Sequence, residues 1–314
     1  MKSPKEKGYV FGPVPSRRLG RSLGVDPVPY KTCTYDCLYC QLGPTPETRI
    51  ERREYVAVET ILVEAARKLE AGVETDVITL SGSGEPTLHS GLGRIIQGLK
   101  ALKAAPVVVL TNGSFLWQAE VREALVMADI VVPSLDAGDA DMFARVNRPH
   151  PDISFERMVE GLVAFREEYN GQFWLEVFLL AGLNDARDEA AKIAAQARRI
   201  RPDRVQLNTV ARPPAYPEAL AVSRSRMIEL TSLFGDNAEV IADFRGDHRV
   251  AAAGRGAEGI LEMLERRPCT ADDIAASLRL SPQEALQQLR RLLAEGAVTS
   301  ASSAGRLYYL LLRK

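Results

Sequence analysis

The chain has almost no cysteine or histidine, 4 and 3 residues among 314, and no surplus of either charge. Lys+Arg number 40 against Asp+Glu 41, so no global field marks a polyanionic or membrane-surface partner. No apolar run approaches the ~18–20 residues that a membrane-spanning helix requires. The segment MKSPKEKGYVFGPVPSRR is basic but lacks the apolar stretch of a secretory signal, so the expected location is the cytoplasm. A disulfide scaffold would need more cysteines, spread in pairs. What remains is ordinary globular composition, 46% apolar and 26% charged, enough for one large core and a small second unit.

Hydrophobic periodicity alternates between two kinds of segment. Strand-like runs fall at Ser22–Asp26, Asp76–Leu80, Pro106–Leu110, Asp129–Pro133, Phe173–Leu180 and Arg204–Thr209. Helix-period segments lie between and after them, at Val58–Leu69, Gly91–Lys103, Trp117–Met127, Phe155–Glu168, Asp185–Arg199 and Arg224–Phe234. The runs DVITL, PVVVL and DIVVP are almost wholly apolar, as strands covered on both faces should be. Six strand–helix units predict an α/β fold with a parallel sheet, as a partial (β/α)6 barrel, and a seventh run at Ala238–Ala242 closes or extends it. An open doubly wound sheet fits the same pattern.

The character changes after Ala251, where AAAGRG reads as a linker. The domains expected are residues 1–250, a barrel with an N-terminal arm, and residues 254–314. The second unit starts with a helix at Ala257–Arg266 and another capped by Thr270. A third opens on Ser281-Pro282-Gln283-Glu284, a capping box with proline at the first helical position, and stops at Gly296. Two strand-like runs, Ala297–Ala301 and Arg306–Leu311, turn around Gly305. Three helices and a hairpin is the order of a winged helix.

Three of the four cysteines fall in Cys33-Thr34-Tyr35-Asp36-Cys37-Leu38-Tyr39-Cys40, spacing CxxxCxxC, just after the first predicted strand. Chain leaving the C-terminal edge of such a sheet is where active sites are built. Three thiolates can hold three irons of a cubane and leave the fourth without a protein ligand, which makes the cluster a chemical site. Structural zinc is the alternative, but it takes four ligands in paired Cys or Cys/His spacing, and no histidine is near. Cys269 lies far off, in the second unit.

The next strand ends in Ser81-Gly82-Ser83-Gly84-Glu85-Pro86, where small residues admit close backbone approach and Glu85 suits an ammonium. Its plain alternative is a tight turn with a surface glutamate. Thr111-Asn112-Gly113 and Ser134-Leu135-Asp136 end the following two strands with polar groups suited to hydroxyls, or to helix capping. Glu176, Gln206 and Asn208 sit in otherwise apolar strands and either face a substrate or pair with one another. Arg212-Pro213-Pro214 is a rigid turn presenting an arginine suited to a carboxylate or phosphate.

The cysteine motif, with Tyr39 before its last cysteine, resembles the signature of the radical S-adenosylmethionine (SAM) superfamily, and the likeness runs over about residues 10–245. That resemblance implies a [4Fe–4S] cluster on Cys33, Cys37 and Cys40 and an enzyme that cleaves SAM to methionine and a 5′-deoxyadenosyl radical, which takes hydrogen from a substrate. It implies that Ser83, Gly84 and Glu85 hold the methionine amine, although Ser81–Gly84 departs from the family's usual glycine pair. It further implies that Tyr39 packs near the adenine and that Ser134, Asn112 and Asp136 reach the ribose; Arg212, read from its turn alone, is a candidate for a substrate or cofactor carboxylate. Flavodoxin or ferredoxin is the implied electron donor. Together with GPVPSRRLG and ARPPA, the motif resembles the subgroup related to wyosine tRNA synthases, although too few cysteines remain here for a second cluster. The second unit would bind nucleic acid, peptide or protein. Its nine Lys/Arg against seven Asp/Glu over 254–314 fall short of a strong phosphate-binding footprint, and Arg290 and Arg291 suit a groove or plain solvent. A redox-sensing, DNA-binding iron–sulfur regulator is the alternative reading.

Overall fold

The computed structural model describes residues 8–16, 18–242, 256–278, 280–303 and 305–312. An eight-stranded sheet runs β1 (Val10–Ser16), β2 (Gly20–Val25), β3 (Val77–Leu80), β4 (Val107–Thr111), β5 (Ile130–Pro133), β6 (Gln172–Leu179), β7 (Arg204–Thr209) and β8 (Ala238–Val240), each strand paired with the next in sequence. The pair β1–β2 is antiparallel and the rest are parallel. A doubly wound sheet would reverse its strand order at a switch point, and this order never reverses. The barrel reading therefore holds and the doubly wound alternative falls. The seventh run adds β8 as an edge, and among the described residues β8 does not pair with β1, so the described barrel is open on one side.

The helices α1 (Val58–Glu70), α2 (Leu92–Ala101), α3 (Ala119–Leu125), α4 (Ala140–Val146), α5 (Phe155–Glu168), α6 (Arg187–Ile200) and α7 (Arg224–Thr231) carry the chain between strands. Alternate residues of one strand enter two different cores. Ile78, Val107, Val109 and Val131 join the large helix-side core with Ile61, Ile95 and Phe165. Val77, Val108, Ile130 and Val132 join Leu19, Leu110 and Trp174 in a separate cluster on the other face. That double burial is why these strands read as continuous apolar runs.

Two elements differ from the sequence reading. Residues 10–16, expected as an arm over the barrel, form edge strand β1; its prolines, Pro13 and Pro15, argue against a central strand but are tolerated at an edge. Helix α4 went unread because it is short; Asp139 caps it by accepting from the Met142 N–H at 2.9 Å.

The C-terminal part comprises α8 (Gly256–Leu264), α9 (Ala271–Leu278), α10 (Pro282–Ala294) and the antiparallel hairpin β9 (Val298–Ser303) and β10 (Arg306–Leu311). The expected capping box is formed, Ser281 Oγ accepting from the Glu284 N–H and Glu284 from the Ser281 N–H. Ile260, Ile274, Leu289, Val298 and Tyr309 form a core of their own. The expected linker at 251–256 lies, but for Gly256, outside the described residues.

This unit touches both margins of the open sheet. Near the start of β1, the Arg266 guanidinium covers the Phe11 ring at 4.1 Å and Nη2 donates to the Gly8 carbonyl at 2.9 Å. Beyond β7, Tyr308 Oη donates to the Ala211 carbonyl at 2.6 Å. Lys68 at the end of α1 meets Glu262 at 3.7 Å.

Phe165 is fully buried between α5 and β6, stacked on Tyr169 and against Phe173. Phe165→Ala is expected to destabilise the fold by about 3–5 kcal/mol through lost burial and a residual cavity. Urea unfolding should show a lower midpoint at an unchanged slope; a loss below about 1 kcal/mol would contradict this packing.

Candidate functional site

At the C-terminal edge of the sheet, Asp26 follows β2 and is buried. It accepts from the Ser83 N–H at 2.9 Å and from Ser83 Oγ at 2.5 Å, joining the loop after β2 to the loop after β3. The two loops then run side by side. Lys31 N–H donates to the Ser83 carbonyl at 2.6 Å and Glu85 N–H to the Thr32 carbonyl at 2.9 Å. A Cβ on Gly84 would stand 2.0 Å from that Thr32 carbonyl oxygen, so only glycine permits the approach.

The cysteine segment is pinned on its other sides as well. Leu38 N–H reaches the Val146 carbonyl at 3.0 Å and the Thr34 carbonyl accepts from the His150 N–H at 2.9 Å. Asp36 accepts from the Thr45 N–H at 2.6 Å and from Tyr216 Oη at 2.5 Å. A loop this constrained holds its three thiols in a fixed arrangement.

Each of the three sulfurs has a side-chain N–H donor, and Cys33 accepts from the Tyr35 backbone N–H as well. Lys31 Nζ lies 3.3 Å from Cys40 Sγ and also donates to the Gly43 carbonyl at 2.6 Å. Asn147 Nδ2 is 3.5 Å from Cys37 Sγ, and Asn112 Nδ2 is 3.7 Å from Cys33 Sγ. Burial nevertheless pushes the Cys33 thiol up to about 12 and the Cys37 thiol well above its ordinary value. Thiolates here need more positive charge than the protein supplies.

The residues expected to bind cofactor divide into two groups. Tyr39, Ser83, Gly84, Glu85, Asn112, Ser134 and Arg212 line one cavity of about 1070 Å³ together with Cys33, Cys37 and Cys40. Asp136 does not line it. It is buried beneath Tyr39, whose hydroxyl donates to Oδ2, and it also accepts from Asn147 Nδ2 at 2.7 Å and the Phe178 N–H at 2.9 Å. The ribose role expected for Asp136 gives way to support of the Tyr39 ring, which stacks on Phe178 with centroids 3.8 Å apart.

Glu85 also departs from expectation. Oε1 accepts from the Thr87 N–H, Thr87 Oγ1 and Thr111 Oγ1 at 3.0, 2.6 and 2.6 Å, and Oε2 accepts from the Asn112 N–H at 2.6 Å. Fully buried and so occupied, it ties the β3 loop to the end of β4 rather than waiting for an ammonium. Asn112 both caps locally, Oδ1 taking the Ser114 N–H at 3.0 Å, and reaches the cysteine loop through Thr34 Oγ1 at 2.7 Å. Glu176 and Asn208 do pair, at 2.8 Å, and Arg18 joins them, 2.7 Å from Glu176 and 3.2 Å from Gln206.

Sequence reasoning missed Asp26, Lys31, Asn147, Phe178 and Arg18. Lys31 and Asp26 had a signal, polar residues where the first strand gives way to the cysteines. Asn147, Phe178 and Arg18 had none, because their partners come from remote elements.

Among the described residues no three His, Cys, Asp or Glu side chains converge as a single metal ion requires. A cubane asks each cysteine to reach a different iron, and the donor set of three partly buried, N–H-bonded thiols fits it.

A family model described as the radical SAM superfamily matches residues 28–194. The chain belongs to that superfamily. Its enzymes use a [4Fe–4S] cluster and S-adenosylmethionine, and this chain is an enzyme of that class. It is 30% identical to a UPF0026 protein of Methanocaldococcus jannaschii over 96% of this chain and 95% of the relative. A UPF0026 protein of Helicobacter pylori J99 is 37% identical over 92% and 93%. GTPase Obg of Brachyspira hyodysenteriae is 38% identical over 98% of this chain, which spans 46% of that protein's length. Among solved structures, a radical SAM methyltransferase from Sphaerobacter thermophilus aligns at a TM-score of 0.53 and 19% identity, over 71% of this chain and 67% of that one. SuiB from Streptococcus suis aligns at 0.54 and 14%, over 72% and 50%. At these identities the likeness establishes the fold alone. No helix among the described residues is long and apolar enough to cross a membrane.

Burial raises the Asp136 carboxyl to about 6, against hydrogen bonds from Tyr39, Asn147 and Phe178 that favour its charged form. Between about pH 4 and 6 the folded enzyme therefore keeps a proton that the unfolded chain releases, and stability falls as pH rises through that window. Each unit of displacement is worth ~1.4 kcal/mol. Asp136→Asn is expected to flatten this slope in urea unfolding measured from pH 4 to 7. An unchanged slope would assign the pH dependence elsewhere.

Proposed function

We propose that Cys33, Cys37 and Cys40 hold the [4Fe–4S] cluster, with the fourth iron left to S-adenosylmethionine. The observation that carries this reading is the convergence of three N–H-bonded sulfurs and five strand-end segments on one cavity. When bound and reduced, the group supplies a carbon-centred radical by cleaving the sulfonium, leaving methionine. The chain's own residues orient and enclose. Tyr39, fixed between Phe178 and Asp136, offers the adenine a rigid neighbour. Ser134 serves the ribose, and with Glu85 occupied, the backbone of residues 81–84 faces the ammonium.

The substrate is expected to be RNA, a nucleotide or a peptide, in keeping with kinship to the wyosine synthase relatives, and the electron donor flavodoxin or ferredoxin in the cytoplasm. We read the chain as two domains, 1–250 and a winged-helix-like 254–314. The DNA-binding regulator reading gains nothing from Arg291, which pairs with Glu295 at 2.8 Å on its own helix, or from Arg290, which is simply exposed. A sensor also has no use for a cavity of this size.

The deciding experiment is anaerobic. Reconstituted and reduced enzyme, given S-adenosylmethionine, should yield 5′-deoxyadenosine by mass spectrometry, and Cys37→Ala should yield none. An intact reduced cluster that produces none would overturn the proposal.

Lys31 places an ammonium against one cluster sulfur, and a neighbouring positive charge favours the reduced state. Lys31→Met is expected to shift the cluster's midpoint potential to more negative values in spectroelectrochemical titration, with the cluster still assembled. A potential that does not move would remove Lys31 from the cluster's surroundings.

A further inference from the structure

The wall that the C-terminal unit contributes to the cavity contains polar groups that the reading above does not use. Ser277, 2% exposed, lines the cavity with an Oγ that has no hydrogen-bond partner. Arg267, just beyond α8, lines it too, and its Nη2 is buried without an acceptor. Leaving a buried guanidinium N–H unbonded is costly unless a ligand accepts from it.

Arg267 has a counterpart on the barrel. Arg212 follows β7, its Nη1 donating to Gln41 Oε1 at 3.3 Å, and Gln41 adjoins Cys40. Tyr308 holds the preceding carbonyl, that of Ala211, and so fixes this turn to the C-terminal unit. Both arginines bear on one buried group: burial raises the Cys269 thiol while the charges of Arg267 and Arg212 oppose it. The surroundings favour an anion as well. Among the described residues seven Lys/Arg and four Glu line the cavity, and Glu176 and Glu262 are already paired, with Arg18 and Lys68.

We propose that Arg267 and Arg212 form an oxyanion subsite for a phosphate group of the substrate. One guanidinium is enough for a carboxylate. Two, from separate walls, match the charge and the several acceptor oxygens of a phosphate. This deepens the enzyme reading above, which it assumes: the substrate would be a phosphorylated molecule whose phosphate sits beside the cysteine loop, against the C-terminal unit.

The test uses the full chain with its cluster reconstituted and inorganic pyrophosphate as probe, followed by titration calorimetry at low ionic strength. Wild type is expected to bind pyrophosphate, Arg267→Gln to bind it at least tenfold more weakly, and Arg267→Lys to fall between. Acetate at the same concentrations should show no comparable binding. S-adenosylmethionine affinity should be the same in wild type and Arg267→Gln, and matching urea midpoints would establish that the variant folds. Equal pyrophosphate affinity in the two proteins overturns the proposal. So does acetate binding as well as pyrophosphate, or a loss of S-adenosylmethionine binding alone, which would give Arg267 to the cofactor's carboxylate. Formation of 5′-deoxyadenosine is read separately, so failure of the radical chemistry and failure of the subsite are distinct results.

Discussion

The site depends on one close contact, the docking of the loop after β2 against the loop after β3. Asp26 clamps Ser83, the Thr32 carbonyl lies where a Gly84 side chain would be, and backbone hydrogen bonds run between Lys31–Thr32 and Ser83–Glu85. These loops belong to adjacent parallel strands, so the sheet delivers both to the same edge. The glycine then lets one backbone lie on the other, and the cysteines between residues 33 and 40 inherit a fixed frame. Glu85 extends the frame one strand further by accepting from Thr111 and Asn112 at the end of β4. Three successive strand ends thus become one rigid rim.

That rim surrounds the thiols, and burial opposes the ionisation of Cys33 and Cys37. The side-chain donors, an ammonium and two amides, are spread over the three sulfurs rather than gathered at a point. Such a distribution suits a ligand with several metal centres, each sharing charge with one sulfur, and gives no advantage to a single ion. The same low-polarity setting strengthens every remaining electrostatic contact in the cavity. It is also why Tyr39 is held from behind by a carboxylate that is itself fully buried.

What the sequence disclosed follows from the range of the interactions. The cysteine spacing, the glycine-rich turn after β3 and the Ser281 capping box are local patterns, and the capping box is formed as read. The strands were legible because both faces are covered, which leaves apolar runs such as Val107–Val109, or Val77–Leu80 with a single buried threonine. The hydrogen bonds that Asp136 and Glu85 accept were illegible because nothing near them in sequence reveals that Phe178, Asn147 or Thr111 would reach their oxygens. Strand β1 was masked by its own prolines, and Arg18 by the distance in sequence to Glu176.

The remaining edge problem falls to the C-terminal unit. A sheet that stops at eight strands without closing leaves β1 and the β7–β8 side apart, and open edges invite pairing with other chains. Arg266 engages the start of β1 through Phe11 and Gly8, while Tyr308 engages the turn after β7 through Ala211. The unit therefore spans the gap and supplies side chains to the cavity wall. A radical generated inside must be kept from solvent until it meets its substrate. In a barrel open along one side, the element bridging that side is as much a part of the reaction chamber as the strands.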